Sequence, residues 1–203
     1  MPSRGDEGGA AESEPFMSYD FSDAYAHPGS PLMVEGPYGR LVLRRHGTDG
    51  MLWCGEGSSP DGARPFVDVR GYTDGAKRAR LWRGAVGCYD DPEAVLLPEA
   101  ARRAAPREMA AGAELVLLTR RQTQTQPPQL LLRAVSPASA AAADAGAEGD
   151  SSTVVSTLSD PEQPQPSLQG IGKALIKYQR ADGVQLSGTL FTPAGYDAAR
   201  DGP

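Results

Sequence analysis

Lys173-Ala-Leu-Ile-Lys-Tyr-Gln-Arg-Ala-Asp-Gly-Val-Gln-Leu-Ser-Gly-Thr-Leu-Phe-Thr-Pro-Ala-Gly-Tyr196 is the stretch that decides how this chain is organised. It reads as two strands, Lys173–Gln179 and Val184–Phe191, joined through Asp182-Gly183. In the second strand Val184, Leu186, Gly188 and Leu190 share one face, while Gln185, Ser187 and Thr189 share the other. Asp-Gly between strand-like runs signals a hairpin, because glycine accepts the positive φ that such turns require. Pro193, Gly195 and Asp201-Gly202-Pro203 then punctuate a further segment. The expectation is that a domain opens at Lys173 and is not completed by Pro203.

Upstream, residues 159–172 carry Pro161, Pro164, Pro166, Gly170 and Gly172 and read as an interdomain linker. Residues 19–158 hold short strand-like pieces: Arg40–Arg45, Met51–Cys54, Pro65–Arg70, Ala79–Arg83, Glu114–Thr119, Gln129–Val135 and Thr153–Leu158. Between them lie glycine and Asp-Gly breaks, and Ser59-Pro60-Asp61-Gly62 suits a β-turn. Four short strands within about forty-five residues match one blade of a β-propeller. The stretch Asp90–Ala113 interrupts the pattern and predicts one or two helical turns. Pro137–Gly149, an alanine-glycine insert, predicts a solvated loop. Residues 1–18, rich in Gly, Ser, Glu and Ala, predict disorder. The fold class expected is mainly β, with a partial propeller of about two blades. Closure takes roughly four to eight blades, so the remaining strand edges need a partner.

Composition narrows the function. Of 203 residues, 39% are hydrophobic and 6% aromatic, with 24 glycines and 18 prolines, which describes a loop-rich chain with a thin core. The net charge of −6 lacks the basic footprint of a nucleic-acid binder. No apolar run approaches the roughly eighteen residues that span a bilayer, so a soluble protein is expected, with neither nucleic acid nor membrane as partner. Cys54 and Cys88 form no metal-spaced pair and predict partly buried thiols in a reducing compartment. Acidic Asp6, Glu7, Glu12 and Glu14 argue against a transit peptide in residues 1–15.

Candidate sites are few. A Gly-x-Ser-x-Gly elbow, which holds a hydrolase serine on a sharp strand-to-helix turn, does not occur; Gly57-Ser58-Ser59-Pro60-Asp61 comes nearest and reads as a turn. Gly55-Glu-Gly-Ser-Ser-Pro60 resembles a dinucleotide fingerprint but places proline where the third glycine belongs. His27 and His46 lack further ligands at metal spacing. Asp90, Asp91 and Glu93 suit a helix cap or a solvated face. Lys77, Arg78, Arg80 and Arg83 alternate along a strand, with a solvated outer face favoured over an anion site. Trp53, Phe66, Tyr72, Trp82 and Tyr89 are expected in core packing. No catalytic, cofactor-binding or metal-binding residue is assigned.

The hairpin wording, most specifically Ile176–Leu186 and Gly195-Tyr-Asp197, resembles the prolyl-oligopeptidase family of serine peptidases, and within it glutamyl endopeptidases of the plastid type. Weaker likenesses keep the same order at His27–Ser30, at Gly57–Gly62 with Pro65, Phe66 and Asp68, and at Leu117–Thr125. The resemblance implies a β-propeller followed by an α/β-hydrolase domain whose opening hairpin is residues 173–203. It also implies peptide substrates, cleavage after glutamate by a Ser-His-Asp triad with an oxyanion hole, and residence in the chloroplast stroma. No triad residue maps onto this chain, so the chain alone is expected to be inactive. The alternative from a different class is a non-catalytic β-rich binding module descended from such a peptidase.

Overall fold

Alternation in the sequence becomes antiparallel pairing throughout. The computed structural model describes residues 15–59, 62–75, 77–85, 89–96, 112–113, 115–123, 125–146, 151–162 and 165–202. Its strands are β1 (Ser30–Pro31), β2 (Met33–Glu35), β3 (Leu41–Leu43), β4 (Arg45–His46), β5 (Gly50–Gly55), β6 (Phe66–Gly71), β7 (Arg78–Arg83), β8 (Tyr89–Leu96), β9 (Leu115–Gln122), β10 (Gln129–Val135), β11 (Thr153–Thr157), β12 (Gly172–Gln179) and β13 (Gln185–Thr192). Two helices, α1 (Pro137–Asp144) and α2 (Ala198–Asp201), complete the set of labelled elements. The chain is mainly β, as expected, and among the described residues the strands close no barrel or propeller.

The first sheet runs β1-β5-β6-β7, with β4 pairing along β5 beside β1. The second runs β11-β10-β9-β8. Leu52, Val67, Leu81 and Trp82 from the first sheet meet Leu115, Leu117 and Val135 from the second in one buried cluster. Each such side chain contributes roughly 1.5–3 kcal/mol on full burial, so this inter-sheet seam is the main source of cohesion. Arg133 lies fully buried in the same region, its Nε donating to Thr119 Oγ1 at 2.9 Å and its guanidinium lying 5.9 Å from the Trp82 ring centroid. Ser152 Oγ accepts from Trp82 Nε1 at 3.1 Å, so the polar groups set into this seam are bonded rather than stranded.

Two sequence expectations are corrected here. Residues 90–96, the start of the stretch expected to interrupt the strand pattern, continue it instead: with Tyr89 they form β8, which pairs with β9 from Tyr89↔Gln122 to Leu96↔Val116. Partnership with the apolar β9 outweighs the weak local preference of Asp-Asp-Pro-Glu. Pro92 is tolerated because β8 is the edge strand and the register shifts between Pro92 and Ala94. Of the remainder of Asp90–Ala113, where one or two helical turns were expected, residues 97–111 lie outside the described residues. Pro137–Gly149, expected to be a loop, contains α1: Ser136 Oγ accepts from Ser139 N at 3.1 Å, and Pro137 occupies the first turn. Alanine favours helix and is small enough to pack closely, so Ala140 and Ala143 are buried, with Ala140 in the inter-sheet cluster. The helix serves the first sheet's open edge, where Arg80 N donates to Asp144 Oδ1 at 2.9 Å and Arg83 N to Ser151 Oγ at 3.1 Å.

Among the described residues the β12–β13 hairpin pairs only with itself, from Gly172↔Thr192 to Gln179↔Gln185. Its turn is a three-residue loop, Ala181-Asp182-Gly183, closed by Arg180 N donating to Val184 O at 2.9 Å, with Gly183 at φ 89°. Leu175, Ile176, Tyr178, Val184, Leu190 and Phe191 are all exposed. The strands predicted at Gln129–Val135, Met51–Cys54 and Ala79–Arg83 occur to within one residue at each end. No helix among the described residues is long and apolar enough to cross a membrane.

Candidate functional site

The two faces of the first sheet differ in chemistry, and a bulge sorts them. Along β6, Phe66, Asp68 and Arg70 share one face by the two-residue period of a strand. They pair across to Arg83, Arg80 and Arg78, and the register shift between Val67 and Asp68 inserts one extra residue of β7. That extra residue brings Arg83 onto the same face as Arg80, three positions away, which simple alternation would forbid. On the β5 side the same face presents Met51, Trp53 and Gly55. The outcome is an apolar face turned to the second sheet and an aromatic-cationic face turned away from it.

Asp68 anchors that second face. Its carboxylate is fully buried and accepts from Arg80 Nε at 2.8 Å, Arg80 Nη2 at 3.2 Å and Arg78 Nη1 at 3.4 Å. The Arg80 guanidinium lies 4.3 Å from the Phe66 ring centroid, and that of Arg70 lies 5.2 Å from the Trp53 centroid. Arg70, 6% exposed, also donates to Gly75 O and to Pro28 O, tying the 16–28 segment across the sheet, where Phe16 stacks on Trp53. Burial first, then the neighbouring arginines, depress the pKa of both Arg70 and Arg83, while Asp68 acts the other way. The expectation of a solvated outer face for this cluster is therefore corrected for Arg80, whose side chain is only 12% exposed; Lys77 is exposed and Arg78 is 48% exposed. Arg70 was not singled out from the sequence, although its two-residue spacing from Asp68 placed it on the same face.

Two adjoining concavities open beside this face. The larger, about 420 Å³, is lined by His27, Ser30, Cys54, Glu56 and Ser58 among others. The smaller, about 200 Å³, is lined by Arg70, Arg78, Arg80 and Arg83, with His27 and Ser58 at the boundary with its neighbour. His27 Nδ1 accepts from Gly29 N at 3.1 Å and its ring meets Tyr19 edge-on, so it is committed to shaping its own loop. Among the described residues no hydrogen bond joins His27 to Ser30 or Ser58, and no serine–histidine couple is assembled. His46 ends β4 opposite Gly50, well apart in the sheet register from the 54–58 rim. At the false dinucleotide signature, Gly57 has φ 61° and a Cβ there would stand 2.0 Å from Arg64 O, so close backbone approach accounts for that glycine. Gly62 N donates to Ser59 O at 3.0 Å, the turn expected at that position. Among the described residues no group of His, Cys, Asp and Glu is arranged to hold a metal ion. The side chains of Asp90, Asp91 and Glu93, like Cys88, lie outside the described residues.

No protein-family profile matches the chain, and no solved structure matches it significantly. Curated relatives do. A protein of Oryza sativa subsp. japonica named probable glutamyl endopeptidase, chloroplastic, is 30% identical over 185 residues, covering 89% of this chain. One of the same name from Arabidopsis thaliana is 28% identical over 202 residues, covering 96%. The chain is related to glutamyl endopeptidase. It spans 18% and 19% of the lengths of these two relatives. The similarity to glutamyl endopeptidase thus covers nearly the whole chain, including both sheets and the hairpin. Within the hairpin region, Tyr196 Oη donates to Gly202 O at 2.5 Å and Asp197 caps α2, so the Gly195-Tyr-Asp197 turn has a structural task of its own.

Proposed function

We propose that this chain is the non-catalytic β-sheet part of a serine peptidase of the glutamyl endopeptidase kind, together with the opening hairpin of its α/β-hydrolase domain. In that reading the two sheets are adjacent blades of a propeller, residues 159–172 are the linker, and residues 173–203 begin the catalytic domain. The whole enzyme would cleave peptides after glutamate in the chloroplast, through a serine activated by histidine and an oxyanion hole supplied by residues other than these. The observation that carries the reading is similarity to two named glutamyl endopeptidases along nearly the entire chain. The hairpin adds support: its apolar residues are exposed, as expected of strands that complete a larger sheet. So does the sequence itself, which contains no Gly-x-Ser-x-Gly elbow.

The test is direct. The purified 203-residue chain should neither cleave a glutamyl peptide nor be labelled by a serine-directed fluorophosphonate. Turnover blocked by that reagent, with the labelled serine mapped to this chain, would defeat the proposal.

A further inference from the structure

We infer that the arginine-lined recess of the first sheet is an oxyanion-binding site, accepting one small carboxylate- or phosphate-bearing group. This goes beyond the peptidase reading and stands without it. Four guanidiniums, those of Arg70, Arg78, Arg80 and Arg83, line a space of about 200 Å³. One buried carboxylate, Asp68, shares their face, and its oxygens are occupied by Arg78 and Arg80. Glu56 lines the adjoining cleft rather than this recess. Positive charge therefore exceeds negative charge among the described residues that line it.

Holding several cations together out of water is costly unless an anion offsets them. Arg80 is largely shielded and Arg70 is 6% exposed, so water alone cannot screen the cluster as it would a surface stripe. The Nε atoms of Arg70 and Arg83, two of the residues that line the recess, are buried without a hydrogen-bond partner, a donor capacity that no described residue satisfies. The β7 bulge that turns Arg83 toward Arg80 builds the concentration of charge; a regular strand would have pointed Arg83 to the other face. Guanidinium forks match carboxylate and phosphate oxygens in pairs, and Ser58 and His27 at the rim add polar neighbours. The recess is smaller than the roughly 300–1,000 Å³ of sites for drug-sized ligands, which suits a single oxyanion group.

The experiment titrates the purified chain at low ionic strength with inorganic phosphate and, separately, with N-acetylglutamate, following heat of binding and the arginine Nε–H resonances. Saturable single-site binding of at least one probe is expected, with Nε–H shifts in the wild-type protein that need no variant. Arg83→Gln and Arg78→Gln should each weaken binding by about tenfold or more. Arg200→Gln, in the exposed α2, should leave it unchanged. Binding of phosphate alone would assign the site to a phosphate source, and binding of N-acetylglutamate alone to a carboxylate source. A folded chain that saturates with neither probe, or that loses as much affinity through Arg200→Gln as through Arg83→Gln, overturns the inference.

Discussion

The two packed sheets and the β12–β13 hairpin use the same device, antiparallel strands joined by short turns, yet they stand in opposite relations to water. In the sheets, alternation delivers Leu52, Val67, Leu115 and Leu117 to a shared seam, each 1% exposed or less. In the hairpin, equally regular alternation delivers Ile176, Val184 and Leu190 to solvent, each more than 40% exposed. Strand pairing is complete in both regions, so hydrogen bonding does not separate them. What separates them is the second layer, because a pleated surface gains stability only when its apolar face is covered. The difference teaches that the hairpin is structurally a half-finished sheet, whereas the two larger sheets complete each other.

That contrast can be broken most forcefully at its centre. Trp82 is fully buried and Phe191 is 58% exposed. Trp82→Ala should cost about 3–5 kcal/mol of stability in urea unfolding. Phe191→Ala should change stability by no more than about 0.5 kcal/mol. Comparable losses from the two would show that the hairpin is packed after all.

Removing the α1 cap is a milder probe of how the first sheet's edge is protected. Ser136→Ala should destabilise by about 1 kcal/mol, since Ser139 N loses its acceptor. Hydrogen exchange at Arg80 and Arg83, whose amides bond Asp144 and Ser151, should quicken with it. An unchanged rate at Arg80 would mean that the helix does not shelter the β7 edge.

The smallest effect concerns the hairpin turn. The hydrogen-bonded Arg180 guanidinium, 2.8 Å from Asp182 Oδ1, holds the Asp182 carboxyl below the usual carboxylate range. A depressed folded-state value means that the pair supports the turn above the ordinary carboxylate pKa and ceases to do so as pH falls through the lowered value. Arg180→Gln should return the NMR titration of Asp182 toward the ordinary range. A titration unaffected by this change would remove the pair from the account of the turn.

Much of this organisation is legible in the residues. Gln129–Val135 is bounded by Pro128 and Ser136 and is dense in leucine, so the strand and its limits can be read directly. The Asp182-Gly183 turn announces itself through glycine's tolerance of positive φ. Less legible is β8, whose Asp-Asp-Pro-Glu composition gives no strand signal and depends on pairing with β9, some twenty residues away. Helix α1 was hidden by low complexity, since alanine repeats carry no apolar stripe and only the packing shows which alanines are buried. The arginine recess was half visible: Arg78 and Arg80 alternate plainly, but Arg83 joins them through a bulge that parity alone cannot foresee.

The central claim, that the sheets are self-sufficient and the hairpin awaits a covering layer, is tested most directly by amide hydrogen exchange across the whole chain. Amides of Leu52, Val67, Leu117 and Leu132 should exchange only on global unfolding, whereas those of Leu175, Lys177, Leu186 and Leu190 should exchange far faster, close to the rate of the described linker residues. Protection of the β12–β13 amides equal to that of β9 and β10 would contradict the account, because it would show that the hairpin is stabilised within this chain.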